Sequence, residues 1–245
     1  MLLTILITVA SAHPGADERP HAQGCRELAQ MFRRSAALSA ESRLDEATAE
    51  IDEAARCGAD PDETALAYAE IALLKHRPQE ALTHLDIISM DAAAVYVARS
   101  DALSELGRPS EAADARLLAV SRMSHLPPDL ILRTAHLLER ADRLPEARAV
   151  LDEGLLMSSA ASLQLEAIRL AEAHDPEDAL RRLDRLPDTA SWLQRRGDVL
   201  VRLGREDEAR LAWTAALDLA RQGRTSRMQH AQIATLNHAL ENLTP

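Results

Sequence analysis

Residues 195–217 read RRGDVLVRLGREDEARLAWTAAL, two helix-forming runs divided at Leu203-Gly204-Arg205. Each run is too short to be stable alone in water, so the two must bury apolar faces against each other. Variants of the second half recur upstream: LGRPSEAADAR from Leu106, ADRLPEARAVL from Ala141 and HDPEDALRRLD from His174. A phrase written this often specifies a repeated building unit.

The alanine that follows an acid sets the register: Ala47, Ala81, Ala112, Ala147, Ala179 and Ala209, at intervals of 34, 31, 35, 32 and 30 residues. The preceding residue is Glu46, Glu80, Glu111, Glu146, Asp178 or Glu208, placed to offset the positive end of a helix. Twelve residues before each anchor stand the small residues Ser35, Ala69, Ser100, Ala135, Ala167 and Gly197. Nine before stand the apolar Leu38, Ala72, Leu103, Leu138, Leu170 and Leu200. Four after stand Ile51, Leu85, Arg116, Leu151, Leu183 and Trp213, of which Arg116 alone is not apolar. Small residues facing an anchor alanine let two antiparallel helices approach to about 8–10 Å, with the larger residues filling the seam. Pro78, Pro109, Pro145 and Pro176 stand just ahead of their anchors and mark where the second helix begins in four of the six units.

Composition agrees with an all-α chain. Ala, Leu, Arg and Glu dominate the 245 residues, and aromatics are 2%. The net charge is −11 and Lys75 is the only lysine, without any long basic run, which argues against nucleic acid as a partner.

With the small/Leu pair on one helix, the LGR or DR turn and the acid-Ala pair on the next, the chain resembles the tetratricopeptide repeat family over residues 25–222. The resemblance implies a right-handed superhelical array of antiparallel helix pairs, a TPR-like α-solenoid, acting as a noncatalytic protein-binding scaffold. Six pairs are expected over 25–222, then a helix in 223–245 that caps the stack through Met228, Ile233, Leu236, Leu240 and Leu243. Arg116 and Gly154 depart from the pattern, so irregular packing is expected where the third pair meets the fourth.

The first helices line the inner groove in this family. Their inward positions include Glu63, Glu70, Asp101, Glu105, His136, Glu172, Gln194, Asp198 and Arg202. This set lacks the Lys and Asn residues with which some family members hold a C-terminal carboxylate. The expected partner is a protein or peptide segment with basic and apolar side chains, engaged at Glu63, Glu70, Asp101, Glu105, His136 and Asp198.

Leu2–Val9 is an apolar run followed by Ala10-Ser11-Ala12, the pattern of a secretory signal, although no Lys or Arg precedes it. It predicts a signal peptide at 1–12, a flexible leader at 13–24 and a periplasmic or secreted protein; without a signal the chain would be cytoplasmic. The run is too short to span a bilayer. Cys25 and Cys57 fall at nearly the same height at the open end of the first helix pair. They read as a disulfide in an oxidising compartment and as two buried thiols in a reducing one. No nucleotide, hydrolase or zinc motif is present, no metal site is indicated by spacing, and no cofactor is expected. An alternative function is copper binding through His13, which cleavage after Ala12 would leave as the N-terminal residue.

Overall fold

The computed structural model describes residues 27–222 and 227–242. These residues form thirteen helices: α1 (Leu28–Ala40), α2 (Leu44–Arg56), α3 (Pro61–Leu74), α4 (Pro78–Leu85), α5 (Ala93–Glu105), α6 (Pro109–Ser121), α7 (Pro128–Arg140), α8 (Leu144–Met157), α9 (Ala161–His174), α10 (Pro176–Leu183), α11 (Ala190–Arg202), α12 (Glu206–Gln222) and α13 (Arg227–Asn242). No strand occurs among the described residues. They divide into two compact units: 27–126 with His136–Leu144, and Pro127–Ala135 with 145–242. The pairs α1/α2, α3/α4, α5/α6, α9/α10 and α11/α12, together with α12/α13, make the most extensive contacts.

The sequence columns form the seams. All six anchor alanines are inaccessible to solvent, and the apolar residues nine before them are at most 7% exposed. Where the small residue is serine it also bonds across the seam: Ser35 Oγ donates to the Ala47 carbonyl (3.0 Å) and Ser100 Oγ to that of Ala112 (2.7 Å). Each bond satisfies a buried hydroxyl and ties the first helix to the anchor of the second.

The turn inside five of the six pairs is a Schellman motif. The residue five before the anchor adopts positive φ at Ser42, His76, Gly107, Asp142 and Gly204. The next amide donates back to the residue nine before the anchor: Arg43 to Leu38 (2.9 Å), Arg77 to Ala72 (2.9 Å), Arg108 to Leu103 (3.0 Å), Arg143 to Leu138 (2.8 Å) and Arg205 to Leu200 (2.9 Å). One leucine column therefore packs the core with its side chain and closes the turn with its carbonyl.

In four pairs the acid before the anchor has a second use beyond the helix dipole. Arg43 pairs with Glu46, Arg77 with Glu80, Arg108 with Glu111 and Arg205 with Glu208, each across three residues. The fifth pair inverts this. Asp175 stands where the others have arginine, and its Oδ1 accepts the Asp178 amide (3.1 Å) as a helix cap. The cation comes from α8: Arg148 reaches Asp175 (3.2 Å) and Asp178 (2.8 Å), while Arg182 spans Asp178 and Asp152.

The two departures from the repeat pattern are packed, not loose. Arg116 is buried, its Nε donating to Ser100 Oγ (3.1 Å) and a terminal nitrogen to Asp101. At Gly154, an added Cβ would stand 2.7 Å from Ile131 Cδ1, so glycine admits the Ile131 side chain against α8. In the second unit α13 lays Ile233, Leu236 and Leu240 on a cluster with Leu193, Trp213, Ala216 and Leu217. The side chains of Met228 and Leu243, expected on the same face, lie outside the described residues.

Candidate functional site

In the first unit α3 packs against both α1 and α5, so Glu63 and Glu70 lie on one helix and Asp101 and Glu105 on its neighbour. Asp60 starts α3 by accepting the amides of Asp62 (2.8 Å) and Glu63 (3.2 Å), which fixes Glu63 in the opening turn. Two turns later comes Glu70, a partly buried carboxyl. Burial alone pushes its pKa up to about 7, with no charge or hydrogen bond contributing. Asp101, at the corresponding place on α5, accepts from Arg116. Glu105 ends α5 and is exposed; His136 is exposed on α7.

Asp198 lies in the second unit, away from this set in sequence and in a different setting. There an open cleft of about 410 Å³ is lined by Glu172, Ser191, Gln194, Arg195, Asp198, Val199 and Arg202. The Trp213 indole N–H donates to Asp198 Oδ1 and to the Gln194 carbonyl, both at 3.1 Å. Desolvation raises the Asp198 pKa, and the neighbouring Glu172 charge adds to it, against the Trp213 bond and the charges of Arg202 and Arg195. Arg195 grips the Glu172 carboxylate through two nitrogens (2.6 and 3.0 Å), and Arg202 donates to the Glu172 carbonyl (3.1 Å). From α13, Gln232 donates to Gln194 Oε1 (3.0 Å).

This cleft offers both signs of charge and side-chain amides. Arg195 and Val199 are the lining residues that the inward columns missed; Arg195 lies between two predicted positions, Gln194 and Asp198. Its only sequence signal is an acid, Glu172, in the preceding helix pair.

No group of three or more potential metal ligands occurs among the described residues. No helix among them is long and apolar enough to cross a membrane. His13, the candidate signal at 1–12, the leader and Cys25 lie outside the described residues; Cys57 is the C-cap residue of α2.

Residues 135–238 match the tetratricopeptide repeat-like domain family. No curated protein matches the chain. Among solved structures, a tetratricopeptide repeat protein from Parabacteroides merdae superposes with a TM-score of 0.51 at 13% identity, covering 85% of this chain and 98% of that one. The pilF protein of Pseudomonas aeruginosa superposes with a TM-score of 0.54 at 15% identity, covering 86% and 97%. At these identities the likeness concerns the fold. Helix pairs with this seam and turn, the match over residues 135–238 and the two superpositions together show that the described residues have the tetratricopeptide repeat-like fold.

Proposed function

We propose that this protein is an exported, noncatalytic scaffold that holds a peptide or protein segment carrying basic and apolar side chains against its first helices. The observation that carries the reading is the run of four acids on two adjoining first helices, Glu63 and Glu70 on α3 and Asp101 and Glu105 on α5. The mixed cleft around Asp198, Arg195 and Arg202 supplies a second stretch of peptide-compatible surface. Export is supported by the apolar run and small residues at 2–12, and by the placement of Cys25 and Cys57, which an oxidising compartment would join.

The test is selection of a displayed random peptide library on the full chain, followed by affinity measurement across ionic strength. Retained peptides should carry lysine or arginine, and their binding should weaken with salt. Reversing charge in the double variant Glu63→Lys/Glu105→Lys should weaken them further. Peptides indifferent to both salt and charge reversal would show that binding uses another surface. Mass analysis of the mature N-terminus, with cleavage after Ala12 expected, tests export.

A further inference from the structure

The residue eleven before each anchor and the residue four after it behave as a coupled pair. In the third helix pair these are Asp101 and Arg116, and the arginine donates to the acid. In the sixth they are Asp198 and Trp213, and the indole donates to the acid at 3.1 Å. The fold thus twice places an acid on the inner face and backs it with a donor from the second helix. In the first and fifth pairs neither place is polar: Ala36 with Ile51, and Ile168 with Leu183. The second and fourth pairs depart from this; in the fourth, His136 stands with Leu151 and no acid is present. In the second, Glu70 holds the acid position, but its counterpart is Leu85, fully buried and without a side-chain donor.

Nothing else in the first unit makes up for this. Lys75 is taken by Asp45 and Thr48, Arg99 by Asp86 and the Leu85 carbonyl, and Arg116 by Ser100 and Asp101. Glu70 is left partly buried and partly exposed, with no hydrogen-bond or ion-pair partner among the described residues, and burial alone accounts for its raised pKa. A carboxylate that has lost part of its hydration and gained no partner gains most from a charge-assisted donor arriving from outside.

We propose that Glu70 is the receptor for one cationic side chain, lysine or arginine, of the bound segment, filling the donor place that Arg116 and Trp213 fill for Asp101 and Asp198. The inference rests on the scaffold reading and sharpens it: of the inner-face acids, Glu70 selects the basic residue. Asp101 and Asp198 already have internal donors, and exposed Glu105 is hydrated and contributes little beyond long-range attraction.

Carboxyl ¹³C NMR of the full chain at mildly alkaline pH tests this directly, with N-acetyl-arginine methylamide as the cationic probe and N-acetyl-norleucine methylamide as its neutral control. The Glu70 resonance, assigned by its absence in Glu70→Gln, should move saturably with the arginine probe and stay put with the norleucine probe. The Glu105→Gln variant should retain the response. A Glu70 resonance unmoved at the highest soluble probe concentration, or moved equally by both probes, overturns the proposal. Peptides from the library selection give a second readout. Replacing their basic residue by norleucine should cost wild type about tenfold in affinity and Glu70→Gln almost nothing. An equal loss on both proteins overturns the assignment to Glu70. A library that yields no binder counts against the scaffold reading, and the NMR measurement still decides the role of Glu70.

Discussion

The indole of Trp213 occupies the space in which a side chain at Gly197 would begin. Any Cβ at Gly197 would overlap the Trp213 ring at Cδ1 and Nε1. The two positions are the small-residue column and the column four after the anchor, and in the other five pairs a serine or alanine faces Ile51, Leu85, Arg116, Leu151 or Leu183. The largest side chain in one column has therefore required the smallest residue in the other. In return Trp213 gains two hydrogen bonds for its indole nitrogen and a place in the cluster under α13.

The Gly197→Ala variant is expected to lose about 1–3 kcal/mol by overpacking, although alanine is the better helix former by up to ~1 kcal/mol. Trp213→Leu, which restores the residue type of Leu85, should recover most of the loss when combined with Gly197→Ala. Urea unfolding of both single variants and the double variant measures this. Additive losses would mean that the two positions do not share the space.

Asp101 and Arg116 should show the asymmetry of a buried ion pair. Asp101→Ala strands a buried guanidinium and is expected to cost about 3 kcal/mol; adding Arg116→Leu should return part of it, since leucine is what the column holds elsewhere. The midpoint of denaturant unfolding reads both. A double variant less stable than Asp101→Ala alone would contradict the account.

Glu70 carries a pH signature. Its pKa of about 7 in the folded chain lies above the ordinary 4.5, so the folded state holds the proton more tightly than the unfolded state between those values. Stability is fully retained below about pH 4.5 and falls as pH rises through 7. Glu70→Gln should therefore be more stable than wild type near pH 8, by on the order of 1–3 kcal/mol, and the gain should vanish toward pH 4. A gain that is the same at both pH values would remove the basis for a strained carboxylate.

The five Schellman turns allow a backbone test free of packing. Ser42, His76 and Asp142 hold positive φ, where L residues are strained. Replacing each by glycine should stabilise by up to about 1 kcal/mol. Gly107 and Gly204 have open space around a would-be Cβ, so Gly107→Ala and Gly204→Ala should lose about 1 kcal/mol through the backbone alone. Thermal unfolding of the five variants should split into these two groups by sign.

The scaffold was legible in the sequence because it depends on residue size at fixed spacing. The anchor alanines, the leucines before them and the large residues after them all occupy the seams that their columns assign. Side-chain direction at the turns was less legible. The acids at Glu46, Glu80, Glu111 and Glu208 suffice as dipole partners, and only coordinates show the arginine three residues earlier closing on each. Arg116 looked like a defect because one column cannot show the acid on the neighbouring helix that uses it. Glu63 and Glu70 fall on α3 and Asp101 and Glu105 on α5, but charge alone could not separate Asp101, which has a donor, from Glu70, which has none.

The Arg148 bridge to Asp175 and Asp178 bears on modularity. In the first, second, third and sixth pairs the cation at the second-helix entrance belongs to the same helix pair, so that pair brings its own closure wherever it is placed. The fifth pair borrows this closure from α8, and α8 in turn holds Arg182 through Asp152. Excising the fourth pair would leave Asp175 without its guanidinium and Arg182 without one of its two acids. Chimeras or truncations should therefore carry α8 and α10 together, as one indivisible cassette in a chain whose other segments are closer to interchangeable.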